Sequence, residues 1–558
     1  MKRILIICLA TLSLFACNHK EVPRASITLD KHVLNLEIGG TRMLYVSFRP
    51  KSMDGSALTW MSMDSSIATV SDGLVTGINL GTTSILVEYG DIVDTCIVTV
   101  VSPAPKKITL DITNLELYEG EIVRIKANVF PEGVTDRLFW SSSDSSIVSV
   151  DKNGTVKALA AGRASIIATC RNISADCNVN STYPLSFEAI DAGTITIKNP
   201  LTRSIDYKIN ESEQASCSDP TITLDVCSGD RVRLYGKAKS YATEYKNTNI
   251  LCSSKCYIYG SIMSLSDAGS LVRDKTISES NAFWGLFDGN VNIVNHPDKD
   301  ILLPATTLAP HCYHELFFNC TGLTSAPELP AKTIANACYV NMFKWCSGIT
   351  VAPNLPATTL SPHCYVGMFS GCSSLTEAPS LPARTLEPYC YTDMFQYCTS
   401  LTSAPVLPAT QIAENCYQGM FFGCSKLIKA PELKASKMYT DCYRGMFAQC
   451  SELSEPPLLP STQLAESCYC VMFAGCSKLK EAPVLPAATL APHCYDYMFQ
   501  HCTSLNYLKA MFTSDPTYCI TLWVQDVSPE GTFIKSRDAK WDVTGDSGIP
   551  LGWTVIAE

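Results

Sequence analysis

The sequence predicts a multidomain chain: two all-β sandwiches, a β-rich capping domain, and a solenoid whose 26-residue repeats each supply a short helix and a short strand. Three observations predict it. The pair Cys-Tyr recurs at Cys312, Cys338, Cys364, Cys390, Cys416, Cys442, Cys468 and Cys494, always 26 residues apart. The segment from Trp60 to Val70 returns 80 positions later as Trp140 to Val150. Between the two arrays lie β-branched runs such as Gly193-Thr194-Ile195-Thr196-Ile197. Self-similarity at a period of tens of residues marks units that bury their apolar faces only against one another.

In chain order, Lys2 and Arg3 precede an apolar run from Ile4 to Phe15, the pattern of an export signal over residues 1–16. Leu14-Phe15-Ala16-Cys17 resembles the lipobox of bacterial lipoproteins, which implies that Cys17 becomes the lipid-bearing N-terminus, followed by a linker over 17–23. Segments 24–102 and 103–181 carry short β-branched runs punctuated every 8–12 residues, as sandwiches do. Their Trp-x-Ser-x-Asp signature resembles the group 2 bacterial immunoglobulin-like domain, which implies a stalk. Residues 182–300 are expected to cap the first coil of the solenoid, and 511–558 the last.

The repeats occupy 301–510. Taking the Cys of each Cys-Tyr as position 0, a second Cys stands at +8 and Met-Phe at +4 and +5, apolar spacing that fits one face of a helix. Pro310, Pro362, Pro388 and Pro492 stand where a proline starts a helix, and Gly371, Gly423 and Gly475 where a left-handed residue ends one. The following Leu-Thr-x-Ala-Pro reads as a very short strand stopped by proline. Cys-Tyr-x-x-Met-Phe-x-x-Cys-x-x-Leu-Thr-x-Ala-Pro-x-Leu-Pro-Ala resembles a lengthened BspA-type (treponemal) leucine-rich repeat. That resemblance implies a surface or secreted protein that binds something, often a host component.

A net charge of −10 argues against nucleic acid or an anionic membrane as partner. Contact with a membrane is expected through the Cys17 lipid alone, in the outer membrane and facing outward. Nucleophile elbows, phosphate loops and paired acids are missing from the sequence. No enzyme, cofactor or metal is therefore expected, and repetition lays down stripes suited to extended binding. The stripe singled out is Phe318, Trp345, Tyr397 and Phe422, aromatics at positions that vary between repeats, suited to a protein or glycan partner. Cys170 with Cys177, Cys217 with Cys227, and Cys252 with Cys256 are disulfide candidates in an oxidising compartment. For the repeat cysteines, bridges between neighbouring coils are sterically open, but a ladder of buried free thiols fits the apolar face better, so most of the sixteen are expected to be reduced. Cys470, present in one repeat only, is the candidate exposed thiol. The competing functional classes are a glycan-degrading enzyme or its accessory, and a structural envelope or fibre subunit.

Overall fold

A computed structural model describes residues 24–267 and 275–558. The chain divides into two compact units: one holds residues up to Asn114, Ile122–Lys157 and Ala164–Val179, the other Leu115–Glu121, Ala158–Arg163 and Asn180–Glu558.

Each N-terminal repeat folds with the same strand order. In the first, Val33–Glu37, Ile92–Val101, Gly81–Tyr89 and Thr59–Ser62 form one sheet, with Val33–Glu37 running parallel to Ile92–Val101. Thr41–Met43, Leu74–Gly77 and Ala68–Ser71 form the facing sheet. Ile85, Val87, Cys96 and Val98 are fully buried between them. The second repeat uses Asn114–Tyr118, Ile173–Thr182, Gly162–Cys170 and Phe139–Ser142 against Ile122–Arg124, Thr155–Ala158 and Val148–Val150. Alternating burial along Gly162–Cys170 follows from the two-residue period of a half-buried strand.

Next comes a seven-stranded sheet whose strand Cys256–Ser261 marks a change of topology. One edge pairs antiparallel with Leu185–Ala189, and the other pairs parallel with Ile293–Asn295 and Ile301–Leu302. From that parallel edge the coils stack onward. They close on a parallel sheet of Tyr507–Ala510, Thr532–Lys535 and Thr554–Ala557.

The coils are not the helix-and-strand leucine-rich repeats that the sequence suggested. Among the described residues the single α-helix is Ser264–Asp267, outside the repeats. What replaces the helix is a ribbon of turns. In the coil around Cys390, the amides of Cys390, Thr392, Met394, Gln396 and Cys398 each donate to the carbonyl three residues back. The intervening amides of Tyr389, Tyr391, Asp393, Phe395 and Tyr397 donate to the next coil, to Glu414, Cys416, Gln418, Met420 and Phe422, at 2.7–3.0 Å. Every second N–H thus joins coil to coil, whereas an α-helix keeps its N–H groups within itself.

The backbone forces this choice. Positions −1, +3 and +7 are left-handed in coil after coil: His311, Glu315 and Asn319 at φ 56, 55 and 55°, and Tyr389, Asp393 and Tyr397 at 53–60°. A left-handed residue every fourth position is incompatible with a right-handed helix. The prolines expected to start helices, such as Pro388, instead occupy the first corner of a turn with the left-handed residue at the second, as in a type II turn. Gly371, Gly423 and Gly475 are left-handed as expected, at φ 73–78°, but inside the ribbon rather than at a helix end.

The expected short strand shrinks to single parallel bridges between coils, such as Ser325 with Val351, Val351 with Glu377 and Glu377 with Ser403. The ribbon also extends beyond the eight Cys-Tyr copies. Asn281 to Gly289 forms an earlier turn of it, donating from Phe283, Gly285, Phe287 and Gly289 to the Cys312 coil. Tyr518 to Asp526 forms a later one.

Candidate binding face

The ribbon turns its side chains in pairs, two inward and two outward. Positions 0, +1, +4, +5 and +8 (Cys, Tyr, Met, Phe, Cys) point inward, and every copy from Cys338 on is buried to 2% exposure or less. The tyrosines stack coil on coil from Tyr313 to Tyr495 with ring centroids 5.6–6.0 Å apart. The phenylalanines do the same, as in Phe369 on Phe395 at 5.8 Å and 2°. Each such pair adds about 0.5–1.5 kcal/mol beyond its buried area.

The +8 cysteines have a separate task. Cys346, Cys372, Cys398, Cys424, Cys450, Cys476 and Cys502 each donate an S–H, at 2.9–3.2 Å, to the carbonyl of a Phe in the preceding coil. Cys320 does so to Phe287. All sixteen repeat cysteines are buried and unbridged. Burial pushes the Cys346, Cys364, Cys416, Cys424 and Cys502 thiols up to about 12, which removes the reactive thiolate. Cys470 is buried too, at 5% exposure, and burial raises its thiol to about 11, so the sequence expectation of an exposed thiol is corrected.

The intervening positions +2, +3, +6 and +7 lie on the other side of the ribbon, where short residues such as Ser370, Ala448 and Cys470 are buried and the larger ones reach solvent. Trp345 and Tyr397 stand there at +7, 44% and 42% exposed. Both are left-handed, at φ 64 and 58°, where a bulky residue is uncommon. Each lies against the glycine at +7 of the next coil. A Cβ on Gly371 would meet Trp345 Cε3 at 2.3 Å, and one on Gly423 would meet Tyr397 Cδ1 at 2.5 Å. Gln449 lies over Gly475 in the same way. Position +7 therefore alternates from coil to coil, with Trp345, Tyr397, Gln449 and His501 separated by Gly371, Gly423 and Gly475.

Phe318 and Phe422 occupy the neighbouring register, +6, and are half-buried. Phe422 meets the edge of Tyr397, with centroids 5.4 Å apart at 80°. The structure thus brings Tyr397 and Phe422 together and places Trp345 two coils away on the same line. Phe318 stands apart in the first Cys-Tyr coil. The sequence reading missed Gln449 and His501, whose signal is the 52-residue alternation of large residue and glycine.

At the start of the ribbon, Trp284 stacks on His314 at 4.3 Å and 16°, and His311 Nδ1 lies 3.4 Å from His314 Nδ1. Glu315 accepts from the Trp284 indole at 3.1 Å and from the Asn341 amide at 3.4 Å. The bond with His314, aided by those from Trp284 and Asn341, holds the Glu315 carboxyl down at about 2 against the opposing pull of burial. Among the described residues no group of three or more His, Cys, Asp or Glu side chains is arranged to hold a metal ion.

Of the disulfide candidates, Cys170 and Cys177 turn their thiols to different carbonyls, those of Asp136 and Asn178. Cys217 faces Asp219 at 3.2 Å, and Cys227 is exposed. Cys252 and Cys256 are hydrogen-bonded to each other at the turn between two sheets, and both are free thiols. Cys17 lies outside the described residues. No helix among those described is long and apolar enough to cross a membrane.

The profile of the Bacterial Ig-like domain (group 2) matches residues 24–100 and 104–177. These two segments are bacterial Ig-like domains. An uncharacterized protein of Clostridium acetobutylicum is 31% identical over 195 residues, 34% of this chain and 20% of that protein. Ice-binding protein 1 of Shewanella frigidimarina is 30% identical over 133 residues, 23% of this chain and 15% of that protein. The chain spans a fifth or less of the length of these curated relatives. Among solved structures, domains 4 and 5 of the S-layer protein SbsC match 28% of this chain and 96% of that one, at 22% identity and a TM-score of 0.16.

Proposed function

We propose that this is a non-enzymatic cell-surface protein. Its Ig-like domains display a stack of turn-ribbon coils, and the outward face of that stack binds a macromolecule, a protein or a glycan. One observation carries the reading: the inward positions are nearly invariant from coil to coil, while the outward ones differ and hold exposed Trp345 and Tyr397 in backbone conformations that suit glycine. A repeat that must fit its neighbours spends its constant positions on the core, so selectivity falls to the variable ones. An enzyme requires one unique constellation of groups, and a face built by repetition suits extended contact instead.

In this reading Cys17 carries the lipid, which is the chain's contact with the membrane, and the protein sits in the outer membrane facing outward. Nucleic acid is a poor partner for a chain with a net charge of −10. The full chain applied to an array of matrix proteins and glycans tests the reading. Saturable binding to a member of the array is expected, and binding to none contradicts it. Cys17→Ser followed by cell fractionation tests the anchor: the variant should leave the membrane fraction, and its retention there would refute lipid attachment.

A further inference from the structure

The +7 line has a regularity that a protein partner does not call for. Its large members recur every second coil, at Trp345, Tyr397, Gln449 and His501, and all four are exposed and left-handed, at φ 58–64°. Each has a planar side-chain group. Trp345, Tyr397 and Gln449 lie against the glycine of the following coil, so each is supported from below and wetted elsewhere. Equivalent tyrosine rings of successive coils lie 5.6–6.0 Å apart, so planar groups two coils apart are separated by twice that, roughly 11–12 Å. A disaccharide unit of an extended β-linked chain has a comparable length. Hydrogen-bonding groups stand beside the rings: Lys344 precedes Trp345, Gln396 precedes Tyr397, and Asp393 lies one turn back, while Phe422 of the next coil backs the edge of Tyr397. A protein hot spot wants a contiguous apolar centre ringed by polar groups. Planar platforms that alternate with glycines at a fixed repeat along the coils match a linear polymer with a repeating unit.

Resting on the binding reading above, we infer that this line is a platform for an extended, β-linked polysaccharide, with one planar side chain beneath each disaccharide. The glycines between the platforms keep the path shallow. The left-handed backbone aims each ring along the coil axis.

The test is titration of the full chain with a length series of β-1,4-linked oligosaccharides from the disaccharide upward, with linear α-1,4 glucans as the curved control. Affinity should step up once the ligand spans two platforms, and the α-linked series should not follow. Trp345→Gly and Tyr397→Gly, each of which also relieves the left-handed conformation, should each lower affinity by about tenfold or more with the fold kept by circular dichroism. Affinity independent of ligand length, or unchanged in both variants, overturns the platform. A chain that binds a protein on the array and no linear glycan also overturns it and leaves the broader reading standing. A chain that binds nothing removes both.

Discussion

Gly371 offers a perturbation whose cost can be worked through. Its φ of +78° is left-handed, and an added methyl there would lie 2.3 Å from Trp345 Cε3, 2.8 Å from Cζ3 and 2.9 Å from Cδ2. Gly371→Ala therefore does two separable things. It places an L side chain in the left-handed region, at about 1–2 kcal/mol, and it displaces the indole. Trp345 is 44% exposed, so a little over half its surface is covered. An aromatic side chain buries roughly 150–250 Å² when fully covered, so about 100 Å² is at stake, up to about 2.5 kcal/mol at 25 cal/mol per Å². Partial loss of that contact gives a total near 2–4 kcal/mol. In a Trp345→Gly background the ring is gone, and Gly371→Ala should cost the backbone share alone, about 1–2 kcal/mol. Urea unfolding of the four proteins of this cycle gives the coupling, expected to be about 1–2 kcal/mol. A substitution that is neutral, or equally costly in both backgrounds, would refute the idea that the ring rests on the glycine.

Three other expectations follow from the ribbon. Glu315 has a folded carboxyl near 2 against an ordinary 4.5, so the stability it lends is complete above about 4.5 and is lost as pH falls toward 2; Glu315→Gln should flatten the acid limb of stability between those values, and an unchanged limb would count against the His314–Trp284–Asn341 cluster. Cys398→Ala removes the thiol that bonds the Phe369 carbonyl at 3.2 Å, and should cost about 1 kcal/mol in denaturant midpoint without altering coil register by hydrogen exchange. Alkylation of the native protein should leave the sixteen repeat cysteines and Cys470 unmodified, because each is buried; labelling at Cys470 in the native state would contradict its placement.

The 26-residue register, the inward set of Cys, Tyr, Met and Phe, and both Ig-like domains were legible in the sequence. Repeated positions and the Trp60 and Trp140 motifs carry that information directly. The local backbone was misread for a physical reason. Apolar residues at offsets 0, 4, 5 and 8 fit a 3.6-residue helix and a four-residue turn ribbon about equally well. The discriminating signal lay at the outward positions −1, +3 and +7, where Gly, Asn and Asp recur, as at Asn415, Gly419 and Gly423. Those residues favour the left-handed region, and a spacing of four among them excludes a helix. Of the candidate stripe, Trp345 and Tyr397 were found through their variability, and Phe422 proved to be Tyr397's neighbour. What they rest on was hidden, because the supporting glycine sits in the next coil, a relation fixed by stacking. The two extra turns of ribbon escaped notice because Ala282-Phe283 and Cys519-Ile520 replace Cys-Tyr.

Gly445 tests the central claim most directly. It stands at +3, in the middle of what would be the helix, has φ +61°, and has no atom within 4 Å of where a Cβ would lie. Gly445→Ala in the full chain thus reports backbone conformation with no steric contribution. A helix would gain about 0.5–1 kcal/mol from the alanine. The left-handed ribbon should instead lose about 1–2 kcal/mol, seen as a melting temperature lower by about 1 °C for each kcal/mol in a unit of this size. A lower melting temperature is the predicted result, and a higher one would contradict the ribbon and the binding face built on it.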